Sequence, residues 1–210
     1  MKNYFIAVLL LCTSYAVMAQ TETISNESKF SFAVNTKIGF ARLKEKGNVT
    51  LNGNVNGGDL LLSYKLGKTW DLTSGIGYLE YYANTAVAGT DISIKNAYLQ
   101  IPLQFNGEYT ILKNEETQNA KIVFTVGLGG YARTLLKQDV ETIAGDSDSK
   151  NLGWNFGLSS QIGARFIITD KLNIGLGLEN QNDLTDMKKD GREQKIESIN
   201  AIYFKLGFTF

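Results

Sequence analysis

From Lys29 to the end of the chain one pattern recurs: segments of about ten or more residues alternate apolar and polar side chains, and stretches rich in Asn, Asp, Gly and Lys separate them. A period of two marks an extended strand, because successive side chains leave opposite faces of the pleat. The segment 154–168 sets Trp154, Phe156, Leu158, Ile162 and Phe166 against Asn155, Gly157, Ser159, Gln161, Gly163 and Arg165. The last segment sets Ile202, Phe204, Leu206, Phe208 and Phe210 against Tyr203, Lys205, Gly207 and Thr209. Segments 30–41, 97–105 and 172–179 alternate as regularly, and 58–66, 71–83 and 120–135 less so, which predicts eight strands and no helix.

The polarity of the two faces predicts where the strands lie. The apolar face is large and aliphatic on every segment, more than a narrow barrel interior holds, and the polar face is rich in Gly, Ser, Asn and Gln. A soluble barrel, such as a lipocalin-like carrier, would turn the polar face to water. A membrane barrel turns the apolar face to lipid and keeps a polar lumen. Closure follows, because hydrocarbon offers no partner to an open strand edge. The expected fold is all-β: an eight-stranded antiparallel up-and-down transmembrane β-barrel. The connections alternate accordingly. Turns at 67–70 and 169–171 are short, whereas 44–57, 84–95, 136–151 and 183–195 read as long polar loops. The short turns, joined by a longer connection at 110–119, face the periplasm, and the four loops face outside. Within the last loop, Asp190-Gly191 reads as a tight turn. Trp70, Tyr109, Phe208 and Phe210 would form the periplasmic aromatic girdle, and Trp154, Tyr81, Tyr82 and Tyr131 the outer one.

The N-terminus reads as a secretory signal. Lys2 precedes the apolar run Phe5–Leu11, and Val17 and Ala19 place small residues before a cleavage site at Gln20. The expected organisation is a cleaved signal at 1–19, a short periplasmic segment at 20–28 and the barrel at 29–210. The single cysteine, Cys12, lies inside the signal, and bulky Leu11 before it disfavours lipidation. The mature protein would then have no thiol and no disulfide.

Charge and composition narrow the chemistry. The 21 basic and 21 acidic residues balance, which argues against a nucleic-acid partner. There is one proline, Pro102, set inside a strand where it marks a bulge or an unpaired spot. There is no histidine, so the histidine-based hydrolases of outer membranes have no counterpart here. A carboxylate mechanism would fall to Glu80, Glu108 or Glu179. The expectation is instead that these pair inside the barrel with Lys37, Lys121, Arg133, Arg165 and Lys205, because buried charges need partners. The acids Asp139, Glu141, Asp146 and Asp148 match no calcium-loop spacing and read as a solvated stretch. No cofactor and no metal site is expected.

Four features stand out together: Met18-Ala19-Gln20, Ile101-Pro102-Leu103, the strand Val126-Gly127-Leu128-Gly129-Gly130 and the terminal Lys205-Leu206-Gly207-Phe208-Thr209-Phe210. In these the chain resembles the small porin-like outer-membrane β-barrel family common in Bacteroidetes. The resemblance implies the outer membrane of a Gram-negative bacterium as the location. It also implies that Phe204, Leu206, Phe208 and Phe210 form the signal read by the assembly machinery. The functional expectation is a non-enzymatic barrel, in contact with outer-membrane lipids, that anchors four extracellular loops for envelope or partner contacts. A narrow channel for ions or small solutes is the alternative.

Overall fold

The computed structural model describes residues 29–45, 47, 50–87, 90–113, 120–142, 145–149, 152–189 and 191–209. The signal, the 20–28 segment and Phe210 lie outside them. Eight long strands form the wall: β1 (Phe30–Glu45), β2 (Leu51–Lys65), β3 (Trp70–Val87), β4 (Thr90–Lys113), β5 (Ala120–Thr142), β7 (Trp154–Ile167), β8 (Leu172–Asp183) and β10 (Arg192–Thr209). Two short strands, β6 (Gly145–Ser149) and β9 (Met187–Lys189), fold back on β5 and β10. Each wall strand pairs antiparallel with the next, and β1 pairs with β10 from Ser31↔Thr209 to Glu45↔Gln194, so the sheet closes on itself.

The register fixes the shape of the barrel. Starting at Ala164 on β7, successive partners are Leu176, Phe204, Thr36, Gly58, Tyr78, Leu99 and Thr134. The circuit returns to β7 at Trp154, ten residues from where it began. For eight strands, a stagger of this size gives a tilt of roughly 40° and a lumen that side chains can fill.

Alternation decides which side chains fill it. On β1, Ile38 and Phe40 are 67% and 72% exposed, whereas Asn35 and Lys37, in the opposite phase of the strand, are 0% and 4% exposed. On β7, Trp154, Phe156, Leu158 and Ile162 are exposed, and Asn155, Ser159 and Gln161 are buried. The apolar faces therefore point outward and form a continuous belt. Crowding inside explains part of the glycine content. A Cβ on Gly157 would lie 2.2 Å from the Tyr131 ring and 2.3 Å from its hydroxyl, so an inward side chain has no room there.

At the outer end the strands outrun the expectation. Most of the stretches 44–57, 84–95, 136–151 and 183–195 is strand rather than loop. β1 reaches Glu45 and β2 resumes at Leu51, β3 reaches Val87 and β4 resumes at Thr90, and β5 runs to Thr142 before turning into β6. The cause is a reversal of polarity along each strand. Below about Phe40 the apolar residues point out. Above it Arg42, Lys44, Asn52, Asn54, Asn84 and Lys95 point out and are exposed, while Leu43, Val55, Ala83, Ile94, Leu135 and Ile196 point in and are buried. The period of two continues, but the faces exchange character, so a hydropathy pattern read from the membrane segments fades into apparent loop. At the opposite end, β4 likewise extends to Lys113, which carries strand into the expected 110–119 connection.

Two girdle assignments are corrected. Trp70, Tyr109 and Phe208 at one end, and Trp154 and Tyr82 at the other, are exposed on the outer face. Tyr81 and Tyr131 instead face the lumen and are buried. They sit in the inward phase of their strands, so Tyr81 and Tyr82 necessarily leave opposite faces. Pro102 marks an unpaired spot. The β3–β4 ladder skips from Ser74↔Leu103 to Gly77↔Gln100 without a change of register, and the Ser74 hydroxyl donates to the Pro102 carbonyl at 2.8 Å. Gly191 has a φ of +78°, as the Asp190-Gly191 turn requires; Asp190 itself lies outside the described residues.

Candidate functional site

The lumen divides into three layers, each built from inward positions of different strands. The middle layer is ionic. The Lys37 ammonium from β1 lies 2.9 Å from an Asp59 carboxylate oxygen on β2 and 3.2 Å from one of Glu179 on β8. The Gln181 side-chain amide donates to Glu179, and Arg133 from β5 donates through Nη2 to Gln181 and, at 3.1 Å, to Gln100. Gln100 Nε2 then donates to Asp59 at 3.3 Å. Lys37, Glu179, Gln181, Arg133, Gln100 and Asp59 thus form a closed ring of polar contacts drawn from five strands. Arg133 Nη1 also reaches Asp183 at 3.1 Å, and its guanidinium lies over the Tyr131 ring at 4.4 Å. Asp183 additionally accepts from the Tyr131 hydroxyl at 2.7 Å and from the Ile196 backbone N–H at 2.6 Å. The Arg133 and Asp183 side chains are 0% exposed, so this part of the ring is fully buried inside the barrel.

The outer layer is apolar. Leu43, Val55, Leu79, Tyr81, Tyr98, Leu135 and Ile199 pack into one buried cluster, which Leu152 and Met187 cap. The tyrosine hydroxyls inside it are satisfied. Tyr81 donates to the Leu51 carbonyl at 2.9 Å, and Tyr98 accepts from Asn96 at 2.7 Å and from Gln194 at 2.8 Å. Toward the short turns the third layer is an open polar cavity of about 700 Å³. Its wall carries Arg165 bound to Glu108 at 2.5 Å, and Asp71 accepting from Thr73 and Asn106, each at 2.8 Å.

Of the residues singled out in the sequence, Lys37, Arg133 and Glu179 meet in the ring. Glu108 and Arg165 meet in the cavity wall, and Lys205 lines the same cavity beside Tyr203. Glu80 does not point inward. It lies on the outer face, where the Tyr78 hydroxyl donates to it at 2.8 Å and Lys95 approaches to 4.0 Å. Lys121 is likewise exposed at the strand end. The partners that sequence reasoning missed are Asp59, Asp71, Asp183, Gln100 and Gln181. Each occupies an inward position: Asp59, Asp71 and Gln100 lie within segments already read as strands, where the alternation itself was the signal, and continuing the alternation from Glu179 through 181–183 would have found Gln181 and Asp183. Asp139 lies on β5 with Lys137 at 2.8 Å. Among the described residues no three acids converge as a metal site would require.

A closed eight-stranded barrel with an apolar exterior and a polar, ion-paired interior is an integral outer-membrane β-barrel. The chain belongs to the family described as "Outer membrane protein beta-barrel domain", whose model matches residues 5–210. It is therefore an outer-membrane protein of a Gram-negative bacterium. Among solved structures it is similar to Neisserial surface protein A, at 14% identity and a TM-score of 0.51, covering 85% of this chain and 97% of that one. Pseudomonas aeruginosa OprG is similar at 10% identity and a TM-score of 0.48, covering 88% and 97%. The attachment invasion locus protein Ail of Yersinia pestis, solved with the heparin analogue sucrose octasulfate, is similar at 15% identity and a TM-score of 0.43, covering 87% and 99%. At these identities the likeness is one of fold. No curated protein matches the sequence.

Proposed function

We propose that this protein is a non-enzymatic anchor: a filled barrel that fixes an extracellular rim of β-hairpins for contact with the envelope or with an external partner. The observation that carries the reading is the closed polar ring through Lys37 and Arg133, with an apolar cluster stacked above it. A channel needs a hydrated path, whereas here a fully buried guanidinium and a layer of Leu, Val, Ile and Tyr side chains occupy the lumen on the outer side. The carboxylates available for catalysis are engaged: Glu179 with Lys37, Glu108 with Arg165, and Glu80 with Tyr78 on the outer face of the barrel. With no histidine in the chain, no neutral-pH base stands near them. The rim is stiff because its backbone is paired: β3 and β4 stay in register to Val87↔Thr90, and β5 pairs with β6.

The test is conductance of the pure protein in planar bilayers. The expected result is a flat baseline at potentials where porins show discrete steps. Reproducible unitary steps from the wild-type protein would establish the narrow channel instead.

A further inference from the structure

The cavity at the short-turn end has a chemistry that anchoring does not use. It opens toward the periplasm and lies below the polar ring. Five cations line it, Lys65, Lys68, Arg165, Lys171 and Lys205, against three acids, Asp71, Glu108 and Asp170. Two of the acids are already held: Glu108 by Arg165 at 2.5 Å, and Asp71 by Thr73 and Asn106. Asp170 is exposed in the β7–β8 turn.

Lys205 is the odd member. Among the described residues its ammonium makes no ion pair and no hydrogen bond, and it lies over the face of Tyr203, 5.4 Å from the ring centroid. The carboxylates that act on it electrostatically, Asp71, Glu179 and Asp59, each hold other donors. Arg165 nearby leaves its buried Nε without an acceptor. The other lumenal cations named above, Lys37, Arg133 and Arg165, each hold a carboxylate, so an ammonium without one, facing a cavity of about 700 Å³, is a local exception. The exposed lysines Lys65, Lys68 and Lys171 at the mouth add a field of the same sign, which draws anions inward.

We propose that this vestibule is a periplasm-facing binding site for a small soluble oxyanion, a carboxylate or phosphate, with Lys205 as its central ligand and the three mouth lysines as an electrostatic funnel. The amides of Asn173 and Gln161 on the same wall supply neutral donors for the remaining oxygens.

The experiment is titration of the full-length protein, refolded in neutral detergent, with inorganic phosphate and with citrate, followed by calorimetry and by amide shifts of Gly175 and Gly207. Saturable shifts confined to this end are expected. Lys205→Gln should weaken binding about tenfold, the loss of one charge-assisted hydrogen bond. Lys205→Arg should retain it, which separates loss of the ligand from loss of the fold. Removing Lys65, Lys68 and Lys171 together should flatten the salt dependence of binding. An exterior control, Lys188→Gln, should change nothing. The proposal is overturned by an absence of saturable binding, by equal affinity in Lys205→Gln, or by competition from phosphatidylglycerol in nanodiscs, which would assign the site to a lipid headgroup.

Discussion

Lys37 shows how the polarity of the interior is enforced one residue at a time. Its side chain is 1% exposed and serves two carboxylates, Asp59 and Glu179. Removing it leaves both buried without a cation. Lys37→Met is expected to destabilise the barrel by about 3–5 kcal/mol, the usual consequence of breaking a buried pair from one side. The triple change that also replaces Asp59 and Glu179 with Asn and Gln should recover much of that loss. Urea midpoints of the protein folded into vesicles measure both. A Lys37→Met midpoint equal to wild type would show that the ring contributes nothing to stability. The alternation made Lys37, Arg133 and Glu179 legible as inward residues from the sequence alone. Their partners were not singled out, because Asp59 lies in the segment 58–66, whose alternation is less regular, and Asp183 fell in what reads as loop. Glu80 was misplaced for the opposite reason. A lone acid in a strand suggests an interior partner, yet its position in the outward phase gives it to Tyr78 and Lys95.

At the level of elements, hairpins stand where polar composition suggests loops. The reversal of faces near Phe40 explains why: polar side chains outward and apolar ones inward is how a strand reads once it has left the membrane. Paired backbone resists proteases, since cleavage needs a segment that opens locally. Trypsin added to intact cells should therefore spare Arg42, Lys44, Lys95 and Lys137, all exposed yet within paired strands, and peptide mapping of the surface digest reads this directly. Rapid cutting at these four sites would mean that the hairpins do not persist. The β9–β10 hairpin carries a smaller electrostatic lock. Lys188 lies 2.8 Å from Glu193, and that hydrogen bond holds its pKa above the ordinary 10.5. The sign is that of a raised folded-state pKa: the pairing is fully present below 10.5 and is lost as pH rises through the higher value. The Lys188 ε-methylene resonances should titrate above 10.5, and Glu193→Gln should return them toward it.

For the whole molecule, class and strand number were readable because a period of two and an apolar outer face recur on every segment, and lipid imposes both. The layered interior was not readable. Which inward residues meet depends on the stagger around the barrel, and that quantity resides in no single strand. The last strand bears on assembly. Phe204 and Phe208 project outward on β10 beside β1, and Phe210 continues the same phase in the sequence. Deleting Phe210 is expected to leave protein in the periplasm, scored by fractionation and by resistance of the folded barrel to unheated SDS. Normal insertion of that truncation would remove the terminal aromatic from the assembly signal.

The pairing of β1 with β10 also governs timing. The first strand of the barrel to be exported has, as one of its two neighbours, the last. Until β10 arrives, β1 presents an unpaired edge, and no intermediate length of chain is a closed object. A helical membrane protein can be laid into its bilayer piece by piece. This one is a clasp, whose seam joins the two ends of the chain.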